Sequence, residues 1–150
     1  MMTDRDFHLR DAAQEDAAAV ATLLTELGHP TEASDIPSRL KSVLAEGGAV
    51  KLAVDEKGNP LGLLVLSRHW GLHASGPIAY IAALVVTASA RRLGLGKVFV
   101  DYAREWGRSH GCSRLTVTSA EHRADAHAFY PSMGMPYTGR RFSTLLDMGG

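Results

Sequence analysis

Leu84-Val85-Val86-Thr87-Ala88-Ser89-Ala90-Arg91-Arg92-Leu93-Gly94-Leu95-Gly96-Lys97 reads as a buried strand that runs through a short loop rich in Arg and Gly into the start of a helix. The first N–H groups of a helix have no partner inside it. They lie at the positive end of the helix dipole and attract phosphate. Gly94 and Gly96 have no Cβ, so the backbone can approach a bulky anion closely. Arg91, Arg92 and Lys97 add full positive charges. These are the parts of a pyrophosphate site.

Spacing narrows the choice of pyrophosphate. The dinucleotide fingerprint needs a third glycine three residues after the second, and Phe99 stands there. The phosphate loop of the nucleoside triphosphatases needs Gly five residues before Gly96 and Ser or Thr after Lys97. Arg91 and Val98 hold those places. What remains, Arg-x-x-Gly-x-Gly over residues 91–96, resembles the acetyl-CoA pyrophosphate loop of the GNAT N-acetyltransferase superfamily.

A second match lies downstream. Residues 113–119 (Ser-Arg-Leu-Thr-Val-Thr-Ser) alternate and are β-branched, a strand signal. In the superfamily such a strand leads into Ala-x-x-Phe-Tyr-x-x-x-Gly-Phe. Ala126, Phe129, Tyr130 and Gly134 match in order and spacing, with Met135 in place of the last aromatic. The resemblance spans residues 7–146, and its specific part is residues 84–135.

The resemblance implies one GNAT-like domain over residues 1–150, of the α/β (α+β) class. Its central sheet would be mixed and mostly antiparallel, flanked by about four helices, with strands splayed at the cofactor site. It implies an acetyl-CoA-dependent acyltransferase that moves the acetyl group to a primary amine of a small molecule or peptide by direct attack. No metal is called for. Backbone N–H groups at Leu84, Val85 and Val86 would hold the thioester carbonyl, as an oxyanion hole can if a bulge frees them from the sheet. Arg91, Arg92, Leu93, Gly94, Leu95, Gly96 and Lys97 would hold the pyrophosphate. Ala126, Phe129 and Tyr130 would line the cofactor, and Tyr130 would protonate the departing thiolate, a role a phenol suits because it is neutral at working pH. Relatives often form homodimers. Two alternatives stay open: transfer of a longer acyl group, and a non-catalytic CoA-binding or regulatory module.

The general base does not carry over. Many relatives place a Glu on the strand before the Leu-x-Val segment, but Tyr80-Ile81-Ala82-Ala83 holds no carboxylate. His69, His73, Tyr80, Glu121, His122 or a chain of waters could serve. His69 and His73 are four apart, which suits a metal only on a helix, and Gly71 between them suggests a loop. His127 reads as helix surface.

Composition sets the remaining bounds. The 150 residues suffice for one domain with a real core, and 45% hydrophobic with 21% charged residues is ordinary for a globular protein. No apolar run approaches a membrane span, and the first residues begin no signal peptide. With the single Cys112, read as a small buried or half-buried residue and not a nucleophile, this makes the cytoplasm the expected compartment. Net charge is zero but uneven: residues 1–90 carry 7 basic and 11 acidic side chains, residues 91–150 carry 9 and 5. The basic half suits a polyphosphate cofactor and the acidic half would draw a cationic amine. Nothing resembles a nucleic-acid-binding stripe.

The chain otherwise reads as a first strand at residues 7–10 and a helix capped by Asp11 and Gln14. Val20, Leu23, Leu24 and Leu27 form that helix's apolar face, and Gly28-His29-Pro30 ends it. A second helix covers 35–45, and a hairpin covers 49–54 and 61–66. Residues 68–77 are irregular. A central strand spans 78–86, a helix runs to Gly111, a strand covers 113–119, a helix 124–133, and a last strand 137–146.

Overall fold

The computed structural model describes residues 6–118, 124–139 and 141–146, and in the last helix it describes side chains from His127 onward. The chain divides into two compact units, Met1–Val117 and Thr118–Gly150. The first unit holds the sheet: β1 (Phe7–Asp11), β2 (Ala49–Asp55), β3 (Pro60–His69), β4 (Ile78–Val86) and β5 (Arg114–Val117), in that spatial order. β1 to β4 are antiparallel neighbours, and β5 runs parallel to β4. α1 (Ala17–Leu27) and α2 (Ile36–Ala45) connect β1 to β2, and α3 (Leu95–Ser109) makes the crossover that a parallel pair requires.

Successive side chains of a strand point to opposite faces, and both faces here are covered. On one, Val20, Leu23, Ile36 and Leu40 of α1 and α2 pack on Leu52, Leu63 and Val85. On the other, Leu95, Phe99, Ala103 and Trp106 of α3 pack on Leu64, Leu66, Ala79 and Ile81. Double coverage explains why β3 and β4 read as almost unbroken apolar runs. Phe99 is fully buried, a burial that contributes about 1.5–3 kcal/mol.

Two sequence expectations need correction. Asp11 does not cap the first helix: it is the last residue of β1 and binds Lys51 across the strand pair. The chain turns later, through a 3-10 turn at Gln14–Asp16, and the Asp16 carboxylate accepts from the Ala13 N–H at 2.7 Å. Arg10 grips the same carboxylate at 2.8 and 2.9 Å. The second correction concerns residues 137–146. Among their described members none is in a strand, and Tyr137, Phe142, Leu145 and Leu146 are exposed. Alternation expresses fit to a half-buried pleated surface, and no described strand offers that segment one.

The end of α1 is as expected. Gly28 adopts φ +112°, its N–H donates to the Thr25 carbonyl at 3.0 Å, and the His29 N–H donates to Leu24 at 2.9 Å. This crossed pair of bonds stops the helix and fixes Glu26 in its last turn. No helix among the described residues is long and apolar enough to cross a membrane.

Candidate active site

β4 carries a bulge. Val65 pairs with Ala83 and Leu66 with Ile81, so Ala82 is the extra residue. It resets the alternation, which is why Ala79 and Ile81 share the α3 face with Leu84 and Val86 while Val85 joins the α1–α2 core. Below the bulge β4 pairs with β5 as far as Ile81 with Val117. Among the described residues no strand pairs with β4 on that side beyond Ile81.

The backbone phase of β4 follows from one bond. The Thr87 N–H donates to the Leu61 carbonyl on the β3 side at 2.9 Å. N–H and C=O directions alternate along an antiparallel pair, so Val85 also faces β3, and Leu84 and Val86 face away from it. The Val86 carbonyl agrees, since it accepts from Arg91 Nε at 3.4 Å. The expected bulge at Leu84 to Val86 therefore lies earlier, at Ala82. What leaves the Leu84 and Val86 groups outside the sheet is the end of β5 pairing.

After Val86 a 3-10 turn (Ala88–Leu93) carries the two arginines. Gly94 then adopts φ +76°, a Cβ placed there would meet nothing within 4 Å, and α3 begins. The Val98 N–H meets the Gly94 carbonyl at 3.2 Å, so the N–H groups of Leu95, Gly96 and Lys97 precede the first turn's bonds. Leu93, Gly94, Lys97, Val98 and Asp101 line an open depression of about 440 Å³ at this helix end. Arg91 and Arg92 are exposed, and Lys97 bonds Asp101 at 3.0 Å one turn along. Such an exposed i, i+4 pair is worth only a few tenths of a kcal/mol, which a phosphate contact outcompetes. Free N–H groups, an open glycine and adjacent cations fit a diphosphate.

Two residues whose contacts the sequence did not reveal support this loop. A Cβ at Gly62 of β3 would stand 2.9 Å from Leu95 Cδ2, from Phe99 Cε2 and from the Val85 carbonyl, so only glycine lets the start of α3 sit this close to the sheet. A lone glycine inside an apolar strand was the available signal. Glu26 of α1 accepts the Thr87 hydroxyl at 3.1 Å and the Ala88 N–H at 3.0 Å. No local pattern announces a contact so distant in sequence.

The proposed bases are scattered. His69, at the end of β3, stacks on Tyr80 of β4 with ring centroids 4.2 Å apart. His73 is exposed in the loop after β3. Glu121 and His122 lie outside the described residues. No metal-ligand cluster is present among the described residues. Cys112 is half-buried, and burial raises its thiol pKa against the opposing pull of Arg68, so it makes a poor nucleophile.

In the second unit, α4 (Ala124–Ser132) carries the Phe-Tyr pair. The side chain of Ala126 lies outside those described. Phe129 and Tyr130 are half-buried and meet edge to face, with centroids 5.1 Å apart. Pro131 supplies no N–H, and the helix closes directly after it. The Met135 N–H donates to the Tyr130 carbonyl at 3.0 Å and Gly134 takes φ +80°.

Comparison with known proteins agrees with this architecture. The model of the acetyltransferase (GNAT) family matches residues 16–135. An uncharacterised N-acetyltransferase of Bacillus subtilis is 42% identical over 65 residues, 43% of this chain and 42% of that protein. The aminoglycoside N(6')-acetyltransferase type 1 of Klebsiella aerogenes is 37% identical over 84 residues, 55% of each chain. The chain thus spans about half the length of the curated relatives it matches. An acetyltransferase of Trypanosoma brucei superposes with a TM-score of 0.80 at 23% identity, over 94% of this chain and 100% of that one. With a mostly antiparallel five-stranded sheet, a bulge in β4 and a family match over residues 16–135, the chain belongs to the GNAT acetyltransferase family.

Proposed function

We propose that the chain is an N-acetyltransferase that moves the acetyl group of acetyl-CoA to a primary amine of a small molecule. The observation that carries this is the junction of β4 and α3. Two outward-facing strand N–H groups, at Leu84 and Val86, lie on the same short segment as the free helix N–H groups of Leu95 to Lys97. The first pair suits a thioester carbonyl that becomes an oxyanion on attack. The second set, with Arg91, Arg92 and Lys97, suits the pyrophosphate. Val85 contributes packing on the α1–α2 side, and Leu93 lines the depression at the helix end.

Attack by a neutral amine expels CoA as a thiolate, which takes a proton. By resemblance to the family, Tyr130 is assigned that donation, and Phe129 and Ala126 are assigned to the cofactor. The family match at residues 16–135 crosses both compact units, which supports a single catalytic domain over residues 1–150. The stacked His69–Tyr80 pair is the best-placed described candidate to relay the amine's proton, since Tyr80 lies two residues before the bulge. The aminoglycoside acetyltransferase among the relatives supports a small cationic amine as acceptor.

Release of free thiol from acetyl-CoA, followed while aminoglycosides, polyamines, amino acids and neutral amines are added singly, tests the assignment. Amine-dependent release is expected with at least one class. CoA binding without release from any of them supports a non-catalytic module instead.

A further inference from the structure

Glu26 occupies a position that does not favour its own helix. It stands in the last turn of α1, where a carboxylate faces the negative end of the helix dipole. Among the described residues it forms no ion pair. Its two oxygens go instead to the exit of β4: one accepts the Thr87 hydroxyl at 3.1 Å, the other the Ala88 N–H at 3.0 Å. Ala88 opens the 3-10 turn that carries Arg91 and Arg92, so the carboxylate sits at the end of that turn where a negative charge is welcome.

Thr87 is the pivot of this arrangement. Its N–H is tied to Leu61 in the sheet, its carbonyl accepts the Ala90 N–H at 2.9 Å, and its hydroxyl reaches Glu26. The residue before it, Val86, holds Arg91 through its carbonyl. Removing the carboxylate frees the hydroxyl and the first N–H of the turn at once. The path of the chain between the Val86 N–H and the Gly94 turn then has one anchor fewer.

We infer that Glu26 is a positioning residue for acetyl-CoA, holding the β4–α3 junction in its binding geometry from the helix that borders the opposite face of the sheet. The inference rests on the assignment of residues 84–97 to the cofactor. It makes a distinctive forecast. A carboxylate close to a polyanionic cofactor repels it, so electrostatics alone makes both Glu26→Ala and Glu26→Gln bind CoA more tightly. Positioning makes the two variants differ, because the Gln amide oxygen still accepts the Ala88 N–H and its amide group still meets the Thr87 hydroxyl.

The experiment is calorimetry of CoA binding to wild type, Glu26→Ala, Glu26→Gln and Gly96→Asp, with a thermal melt of each. Glu26→Ala is expected to weaken CoA about tenfold, the scale of two lost hydrogen bonds of ordinary strength. Glu26→Gln is expected to stay within about threefold of wild type, because the bond geometry survives. If Glu26→Ala fails to fold, Thr87→Val, which keeps every backbone bond, takes its place with a smaller loss of the same sign. Unchanged or tighter CoA binding in Glu26→Ala overturns the inference, as does a Gln variant as weak as the Ala variant. Unchanged binding in a folded Gly96→Asp overturns the loop assignment itself, which separates the two failures.

Discussion

Gly62 of β3 lies directly beneath Phe99 of α3, so close that a Cβ on Gly62 would stand 2.9 Å from Phe99 Cε2. The same added atom would press Leu95, the first residue of the helix whose N-terminus faces the depression. Packing and cofactor geometry therefore meet at one glycine. Gly62→Ala is expected to cost about 1–3 kcal/mol by overpacking, and to weaken CoA binding beyond what stability explains, because α3 moves outward. Chemical denaturation with CoA calorimetry checks both. A variant that loses stability yet binds CoA normally would place the shift elsewhere in α3.

Gly96→Asp is expected to weaken CoA severely. The substitution sets bulk and negative charge at the helix end where free N–H groups attract an anion. The N–H groups there remain, so the loss reads the approach of the pyrophosphate and not the fold. Calorimetry decides, and equal affinities in a folded variant would remove the cofactor assignment.

How much of this was legible in the sequence depends on range. The Arg91–Lys97 loop is legible because strand, glycines and cations are consecutive, and the geometry of a helix start is local. The end of α1 at Gly28 is legible for the same reason. The start of α1 is not, since Asp11 has the spacing of a cap but cross-strand Lys51 claims it. The bulge at Ala82 is invisible for a related reason: it is defined by β3, and every residue from 78 to 86 reads as the same apolar strand. Glu26 reads in the sequence as one of three carboxylates, with Glu32 and Asp35, that could draw a cationic acceptor, and its tie to the loop is not legible because its partners lie 61 and 62 positions away. Residues 137–146 show the converse, a strand-like pattern with no described partner.

Asp16 gives a pH-dependent prediction. Hydrogen bonding from Arg10 is the largest influence on its carboxyl, ahead of burial, which opposes it, and the Ala13 N–H, which assists; the pKa is lowered from its ordinary 3.8. A lowered folded-state pKa contributes stability that is present above the unfolded value and lost as pH falls through the folded one. Asp16→Asn is therefore expected to be less stable than wild type by about 1–2 kcal/mol near neutrality, allowing for the part-exposed Arg10. The difference should shrink below pH 3.8. Denaturation midpoints of both proteins from pH 7 to pH 2.5 check this; a gap that does not close in acid would mean the Asn variant fails through packing.

Tyr130→Phe is expected to lower kcat by about 10²–10⁴ if the phenol protonates the leaving thiolate, with CoA affinity little changed. The ring keeps its edge-to-face contact with Phe129, so the variant removes the phenol oxygen and leaves the ring in place. Steady-state kinetics with the best amine from the thiol-release panel measure it. A loss below about threefold would mean that Tyr130 only packs and that the thiolate takes its proton from water.

The acceptor is expected to be a small or medium-sized cationic amine, and its attraction should now fall on fewer groups than the sequence suggested. Residues 1–90 carry four more acidic than basic side chains, with Glu26, Glu32 and Asp35 around the end of α1. Asp35 shares its charge with Arg39 at 3.8 Å across one helical turn, whereas Glu26 is held by the neutral Thr87 hydroxyl and Ala88 N–H and keeps its charge. Glu26 and Glu32, the latter exposed between the two helices, are the carboxylates left to act at a distance. Long-range attraction of this kind weakens as salt shortens the screening length. The kcat/KM for a cationic amine should therefore fall with ionic strength, Glu32→Gln should flatten that dependence, and a neutral amine of matched size should show neither effect. Equal salt dependence in the variant and wild type would remove Glu32 from the account, and salt-independent rates for the cationic amine would mean that the cleft selects by shape alone.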